Sequence, residues 1–430
     1  MGTAPTNVAG ALNDPGAITG GITVAATSRS QAHPGVRTSR PVLLMGAALA
    51  GFLAVTWLVG WRQGLLWCIG VGYGVALSAA AFGFTTGWRV WITQRDPKGL
   101  WAQFVGIAVA MLISVPLLAI HPELEGADGP LSISLLVGAF VFGAAMQVAD
   151  GCGSGTLYKA GLGHPVSLAV LPAFVFGSFF GAAQLPAWLA LGALPPVNLV
   201  HVLGAGWTLA AQLGALALLA ALLWRFSAMR AYRLRRAATG AAVAAAGPSE
   251  RDSAVLLQGP PQSRWQGKAV WIAAIALGLL AAANLVVAGQ PWGIVYGLGL
   301  WGAKIVQALG FDLSHNAFWG LPVQQAQLHA SVLADNTSVT DIGLLLGALI
   351  AASWKGKACP RVKLPWRAWV ASVLAGLVLG YSSRLAFGCN VGAYFSGIAT
   401  GSLHGWIWFA CAFLGSVLGV RLRGRLGIAG

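Results

Sequence analysis

Eleven apolar segments follow one another between residues 42 and 418, most of them as long as a bilayer is thick and several broken by glycine. They occupy residues 42–61, 65–84, 101–120, 131–148, 165–185, 202–224, 269–287, 293–309, 342–354, 368–387 and 403–418. Hydrocarbon offers no water to backbone N–H and C=O groups, so segments of this kind must fold as helices. A crossing takes about twenty residues, which gives an expectation of about nine full spans and assigns the shorter, glycine-interrupted segments to re-entrant half-helices buried in protein. Composition excludes a soluble alternative, because 57% hydrophobic and only 9% charged residues leave too little polar surface to cover a globule of this size. The fold class is all-α, a polytopic integral membrane protein.

Two turns stand at matching places in the two halves of the chain: Asp150-Gly151-Cys152-Gly153-Ser154-Gly155 and Phe387-Gly388-Cys389-Asn390-Val391-Gly392. Aligned on the cysteines, Gly143, Gly151 and Gly155 fall on Gly380, Gly388 and Gly392; after a one-residue insertion Gly177 and Gly181 fall on Gly415 and Gly419. A second block aligns Val71-Gly72-Tyr73-Gly74 with Ile294-Val295-Tyr296-Gly297. Duplicated membrane halves with broken helices are the pattern of transporters whose substrate site lies between two pseudo-symmetric, inverted repeats. The expected organisation is a disordered cytoplasmic tail over 1–40, a first membrane repeat over 41–224, a basic linker over 225–268, a second repeat over 269–420 and a cytoplasmic tail over 421–430. Gly247-Pro248 and Gly259-Pro260-Pro261 mark the linker as a flexible tether.

A net charge of +15 would suggest a nucleic-acid partner in a soluble protein, but here the charge is confined to a few connections. Arg225, Arg230, Arg233, Arg235, Arg236, Arg251, Arg264 and Lys268 fill the linker, Lys355, Lys357, Arg361, Lys363 and Arg367 another loop, and Arg421, Arg423 and Arg425 the end. The positive-inside rule puts all three in the cytoplasm and removes nucleic acid from the partners. Stretches 120–130, 185–200 and 311–341 hold no lysine or arginine, and the first and last carry Glu123, Glu125, Asp128, Asp312, Asp335 and Asp341; they read as extracytoplasmic. If every segment crossed, 311–341 would land on the wrong side, so either a segment between 269 and 309 is re-entrant or the number of segments differs by one. Arg62 alone opposes this scheme.

In each turn a small polar or glycine neighbour stands beside a thiol on a glycine-flanked break where a helix can start. Such a start offers unpaired N–H groups and a positive dipole end to an anion. The thiol adds a weak donor and a polarizable sulfur, a match for an anion with a soft sulfur end. The competing reading makes these residues small contacts for close helix packing. Candidate substrate contacts are Cys152, Cys389, Gly151, Gly153, Gly388 and Asn390, with Lys304 added because a charge inside an apolar segment needs water, a carboxylate or an anion beside it. Asp150, Lys159 and Arg384 flank the turns, where pairing and anion attraction are both open. Cys68 and Cys411 read as structural, Cys359 as a loop thiol, and His164 and His404 as interhelical partners. No C-x-x-C pair and no histidine-cysteine spacing points to redox or zinc chemistry, and no cofactor is expected.

The two Gly-Cys turns, with Pro291-Trp292-Gly293-Ile294 and Leu300-Trp301-Gly302-Ala303-Lys304, resemble the YeeE/YedE sulfur-transport family of bacterial inner-membrane proteins, over residues 42 to 420. The resemblance implies uptake of thiosulfate or a related sulfur anion through an hourglass of two halves, with Cys152 and Cys389 as central contacts. Family members can carry a further cysteine in the first repeat, where this chain has Phe84-Thr85-Thr86-Gly87-Trp88-Arg89. Two other functions share these features: transport of selenium compounds, and a membrane thiol enzyme for sulfur transfer or disulfide exchange. A base near neither thiol counts against the enzyme. A cytoplasmic sulfur-carrier protein is an open partner.

Overall fold

A computed structural model describes residues 39–245, 267–355, 364–426 and 428. The helices are α1 (Ser39–Leu58), α2 (Trp61–Ala79), α3 (Phe84–Gln94), α4 (Lys98–Ile120), α5 (Ile133–Val148), α6 (Gly153–Gly161), α7 (Pro165–Leu189) and α8 (Leu199–Ala245). There follow α9 (Lys268–Ala288), α10 (Val295–Ala308), α11 (Pro322–His329), α12 (Asn336–Lys355), α13 (Trp366–Leu385), a π-helical turn (Asn390–Ser396), α14 (Gly397–Ala399) and α15 (Leu403–Arg425). The only strands among the described residues, Leu131–Ser132 and Ala193–Leu194, form a two-residue antiparallel ribbon. Ten segments among the described residues are long and apolar enough to cross a membrane. The tail, residues 246–266 of the expected tether and the loop around Cys359 lie outside the described residues. The rest of that tether is not a loop, because α8 continues through Ala245.

Hydrogen bonds gather one set of helix ends at a common face. Arg62 donates to the Val287 carbonyl at 2.9 Å, Gln63 to the Asn336 side chain at 2.7 Å, and the Glu125 amide to the Gly289 carbonyl at 2.9 Å. This acidic face explains the misplaced Arg62: its guanidinium sits on the C-terminal turn of α9, where the helix dipole favours a cation. At the opposite, basic face, Arg89, Lys159 and Arg423 converge on Asp150. Because α9 ends and α12 begins at the acidic face, the intervening chain returns to the side it left. The fourteen-residue α10 is therefore re-entrant, one of the two arrangements that the charge of 311–341 left open.

The glycines aligned in sequence make equivalent contacts in space. Gly177 and Gly181 of α7 lie against the Leu377 and Tyr381 carbonyls of α13, and their counterparts Gly415 and Gly419 of α15 lie against the Phe140 and Ala144 carbonyls of α5. Gly143 meets the Ala412 carbonyl and Gly380 the Phe174 carbonyl in the same manner. The repeats are inverted. Near the start of α5 a Cβ on Gly138 would come 2.8 Å from the Ala386 nitrogen beyond the end of α13, while Ser372 near the start of α13 donates to Val148 at the end of α5 at 3.4 Å. Helices α5 and α13 thus run antiparallel. The second aligned block does not share this symmetry, since Val71–Gly74 lies mid-helix in α2 whereas Val295 opens α10.

Apolar lipid gives helices no hydrophobic reason to associate, so close backbone approach through glycine supplies much of the packing. Gly143→Val would drive two methyl groups into the Ala412 carbonyl, a backbone group that cannot step aside. A loss of about 1–3 kcal/mol is expected, read as a lower melting temperature in detergent. Gly206→Ala, with no atom within 4 Å of its Cβ, should leave melting unchanged.

Candidate functional site

Both Gly-Cys turns are built the same way. At the end of α5 the Gly151 amide donates to the Met146 carbonyl at 3.1 Å, and at the end of α13 the Gly388 amide donates to Ser383 at 2.9 Å. Asp150 (φ 61°) and Phe387 (φ 56°) then turn the chain through the left-handed region. Cys152 (φ −88°, ψ −166°) and Cys389 (φ −99°, ψ −167°) each stand as the N-cap of the next helical turn. Their carbonyls receive the Thr156 and Ala393 amides at 2.8 and 2.9 Å. Glycine is required before the second thiol, because Gly388 has φ +149° and a Cβ there would lie 2.6 Å from the Ala393 nitrogen. At Gly151 a Cβ would meet the Thr156 nitrogen at 3.0 Å.

The structure brings the two turns together. A Cβ on Gly153, the first residue of α6, would lie 3.0 Å from the Cys389 sulfur and 3.4 Å from Ile294 Cγ2. Cys152 Sγ lies 3.4 Å from the Ser154 hydroxyl, and Cys389 Sγ accepts from the Val391 amide at 3.4 Å. Both thiols are 0% exposed, so this conformation is closed around them. Among the described residues, neither sulfur has a histidine or carboxylate as a hydrogen-bond partner.

Around the pair lie buried polar atoms without partners among the described residues: both amide atoms of Asn390, the Thr156 and Tyr73 hydroxyls and Trp292 Nε1. Trp292 stacks on Tyr73 at 3.8 Å between ring centres, and its carbonyl accepts from Ser396 Oγ at 2.7 Å. A buried donor left unbonded carries the full cost of its desolvation unless something enters to accept from it. At the start of α3, Phe84 sets its ring edge-on to Tyr394 and Phe395. Sequence reasoning missed Tyr73 as a site neighbour; the glycine-rich run around it was the available signal. It also read Asp341 as a loop acid. Asp341 is on α12, fully buried with both carboxyl oxygens unbonded, and a Cβ on Gly297 would reach to 3.2 Å of Oδ2.

Other singled-out charges fall elsewhere. Lys304 lies ten residues along the chain from Ile294, about 15 Å of helix, and donates to the Leu328 and Ala330 carbonyls at 2.8 and 2.6 Å. It is not brought to the thiols. Asp150 is shared by Arg89 Nη2 at 2.8 Å, Lys159 Nζ at 2.8 Å and Arg423 Nη1 at 3.2 Å, three cations around one carboxylate. His404 Nδ1 is 2.7 Å from Ser402 Oγ, a structural pairing at the start of α15.

Ten segments long and apolar enough to cross a membrane, in inverted repeats whose broken helices meet at buried thiols, have the architecture of a membrane transporter. The model of a family described as sulphur transport matches residues 79–418, and the chain belongs to that family. Over 149 residues the chain is 30% identical to the probable transporter YedE of Salmonella typhimurium, covering 35% of this chain and 36% of that protein. The chain thus spans about a third of that relative's length. It is 24% identical over 362 residues to the thiosulfate transporter TsuA of Spirochaeta thermophila, covering 79% of this chain and 92% of TsuA.

Proposed function

We propose that the protein carries thiosulfate, or a closely similar small sulfur anion, across the bacterial inner membrane through a path guided by the Cys152 and Cys389 thiols. The observation that carries this reading is the meeting of two N-cap cysteines of matching backbone geometry, one from each inverted repeat. Support comes from the family and from the similarity to TsuA. Each S–H donates weakly to the terminal sulfur of the anion, while the first N–H groups of α6 and of the π-helical turn, with Asn390 and the Gly151, Gly153 and Gly388 backbone, face its charge. Contacts of this kind are weak enough to release, which suits passage better than one deep well. Both thiols are buried, so a movement of the flanking turns must open the path. No covalent intermediate is part of this scheme, and a cytoplasmic sulfur carrier would act only after delivery. The basic connections assign the face of Arg89 and Arg423 to the cytoplasm.

Uptake of labelled thiosulfate by reconstituted vesicles tests the reading, with sulfate and selenite as competitors. Strong competition by thiosulfate and weak competition by sulfate are expected; equal inhibition by sulfate removes the argument for a sulfur-selective site, and preferred uptake of selenite moves the substrate to selenium. For orientation, an impermeant thiol reagent applied to intact cells should reach a cysteine placed at Ser331, at the acidic face, and should not reach one at Ser249. The reverse pattern would invert the topology.

A further inference from the structure

Arg384 occupies the last turn of α13, five residues before Cys389. Its guanidinium carbon lies 5.2 Å from the Tyr296 ring centre and 5.5 Å from that of Phe318. Among the described residues it has neither an ion pair nor a hydrogen bond, and its Nε is buried without a partner. Other cations near the membrane-spanning helices are treated differently, the exposed Arg62 included. Arg89, Lys159 and Arg423 share Asp150, Lys304 holds two carbonyls, and Arg62 holds the Val287 carbonyl.

The rings around Arg384 are themselves held in place. Tyr296 follows Ile294, whose side chain borders Gly153 beside the Cys389 sulfur, and the Tyr296 hydroxyl is bonded to Gln327 of α11. Phe318 packs edge-on to Trp319, whose Nε1 donates to the Phe179 carbonyl at 3.3 Å. Aromatic faces attract a guanidinium but offer no acceptors for its N–H groups, so removing it from water leaves a demand that an anion meets. The equivalent place in the first repeat carries no charge. The offset that aligns the cysteines puts Gln147 there, an uncharged side chain that is fully buried and bonded to Thr85 and Arg89.

We propose that Arg384 is the anion-recognition residue of the acidic-face half, its planar guanidinium gripping the oxygen end of a small sulfur oxyanion before the sulfur end reaches Cys389. This rests on the transport reading above. A guanidinium fork matches two oxygens at once, which an ammonium cannot do.

Initial rates of labelled thiosulfate uptake into vesicles, measured against concentration for wild type, Arg384→Gln and Arg384→Lys, test it alongside melting temperature in detergent. Arg384→Gln is expected to raise KM about tenfold or more with unchanged melting, and Arg384→Lys to raise it less, because charge is kept and the fork is lost. An unchanged KM in both variants, or a fall in maximal rate that tracks a lowered melting temperature, makes Arg384 a structural cap of α13 and overturns the inference. If Arg384→Gln fails to insert, Arg384→Lys decides alone: a raised KM supports recognition and a wild-type KM refutes it. Failure of the wild type to take up thiosulfate is a separate result that removes the transport reading itself.

Discussion

Alanine at either Cys152 or Cys389 is expected to lower thiosulfate uptake about tenfold or more, and alanine at both to abolish it. On the proposed path, each substitution deletes one weak donor and one polarizable sulfur at the meeting point of the two turns. The loss of a single hydrogen bond of ordinary strength corresponds to about a tenfold effect, and two in series compound. Folding should suffer little, because the glycine-supported backbone remains and a buried sulfur replaced by hydrogen costs about 1 kcal/mol. Serine should restore little uptake. A hydroxyl is a harder, more strongly hydrated group, and would retain water or a sulfonate oxygen in preference to a terminal sulfur. Intact-protein mass after turnover should show free thiols; a persulfide accumulating on either cysteine would favour sulfur transfer.

Gly153→Val is expected to stop transport as completely as loss of both thiols, by the opposite route. Its Cβ would sit 3.0 Å from the Cys389 sulfur and 3.4 Å from Ile294 Cγ2, and two further methyl groups have nowhere to go. The Cys389 sulfur cannot yield freely because the Val391 amide and the N-cap backbone hold it. Overpacking of this kind costs about 1–3 kcal/mol, which leaves a helical membrane protein inserted but with the gap between the turns filled. Gly392→Ala is the matched control: its Cβ would meet only the Gly293 Cα at 4.0 Å, and uptake should survive. Loss of uptake in both variants would mean that any added side chain disrupts the turns, and that the gap itself has no special place.

The meeting of the two turns that forms the core of the candidate site was legible in the sequence because symmetry repeats a local signal. Two Gly-Cys turns at equal offset from aligned glycines could be recognised without any knowledge of distant contacts, and the same glycines proved to be the close contacts of α5 with α15 and of α7 with α13. Charge balance left a re-entrant segment between 269 and 309 or a different number of segments, and the structure has the first. What failed depended on where a helix stops. Lys304 looked central in an apolar run, yet α10 is fourteen residues long and ends near the acidic face, within reach of the Leu328 and Ala330 carbonyls at the end of α11. Asp341 was grouped with loop acids because no lysine or arginine interrupts the stretch before it, although Asp335 already caps α12 by accepting from the Ser338 amide at 2.7 Å. The stacking of Tyr73 on Trp292 joins residues from different repeats, and no local pattern encodes such a contact. Matching Val71–Gly74 to Ile294–Gly297 followed glycine spacing, which is common enough in membrane helices to align segments that are not related by the fold.

The most direct measurement is uptake of thiosulfate labelled separately in its terminal and its central sulfur, by vesicles holding the wild type or the Cys152→Ala/Cys389→Ala variant. A thiol-guided path predicts that both labels enter wild-type vesicles at equal rates and that neither enters vesicles holding the variant. Wild-type rates in the double variant, or accumulation of one label without the other, would contradict it.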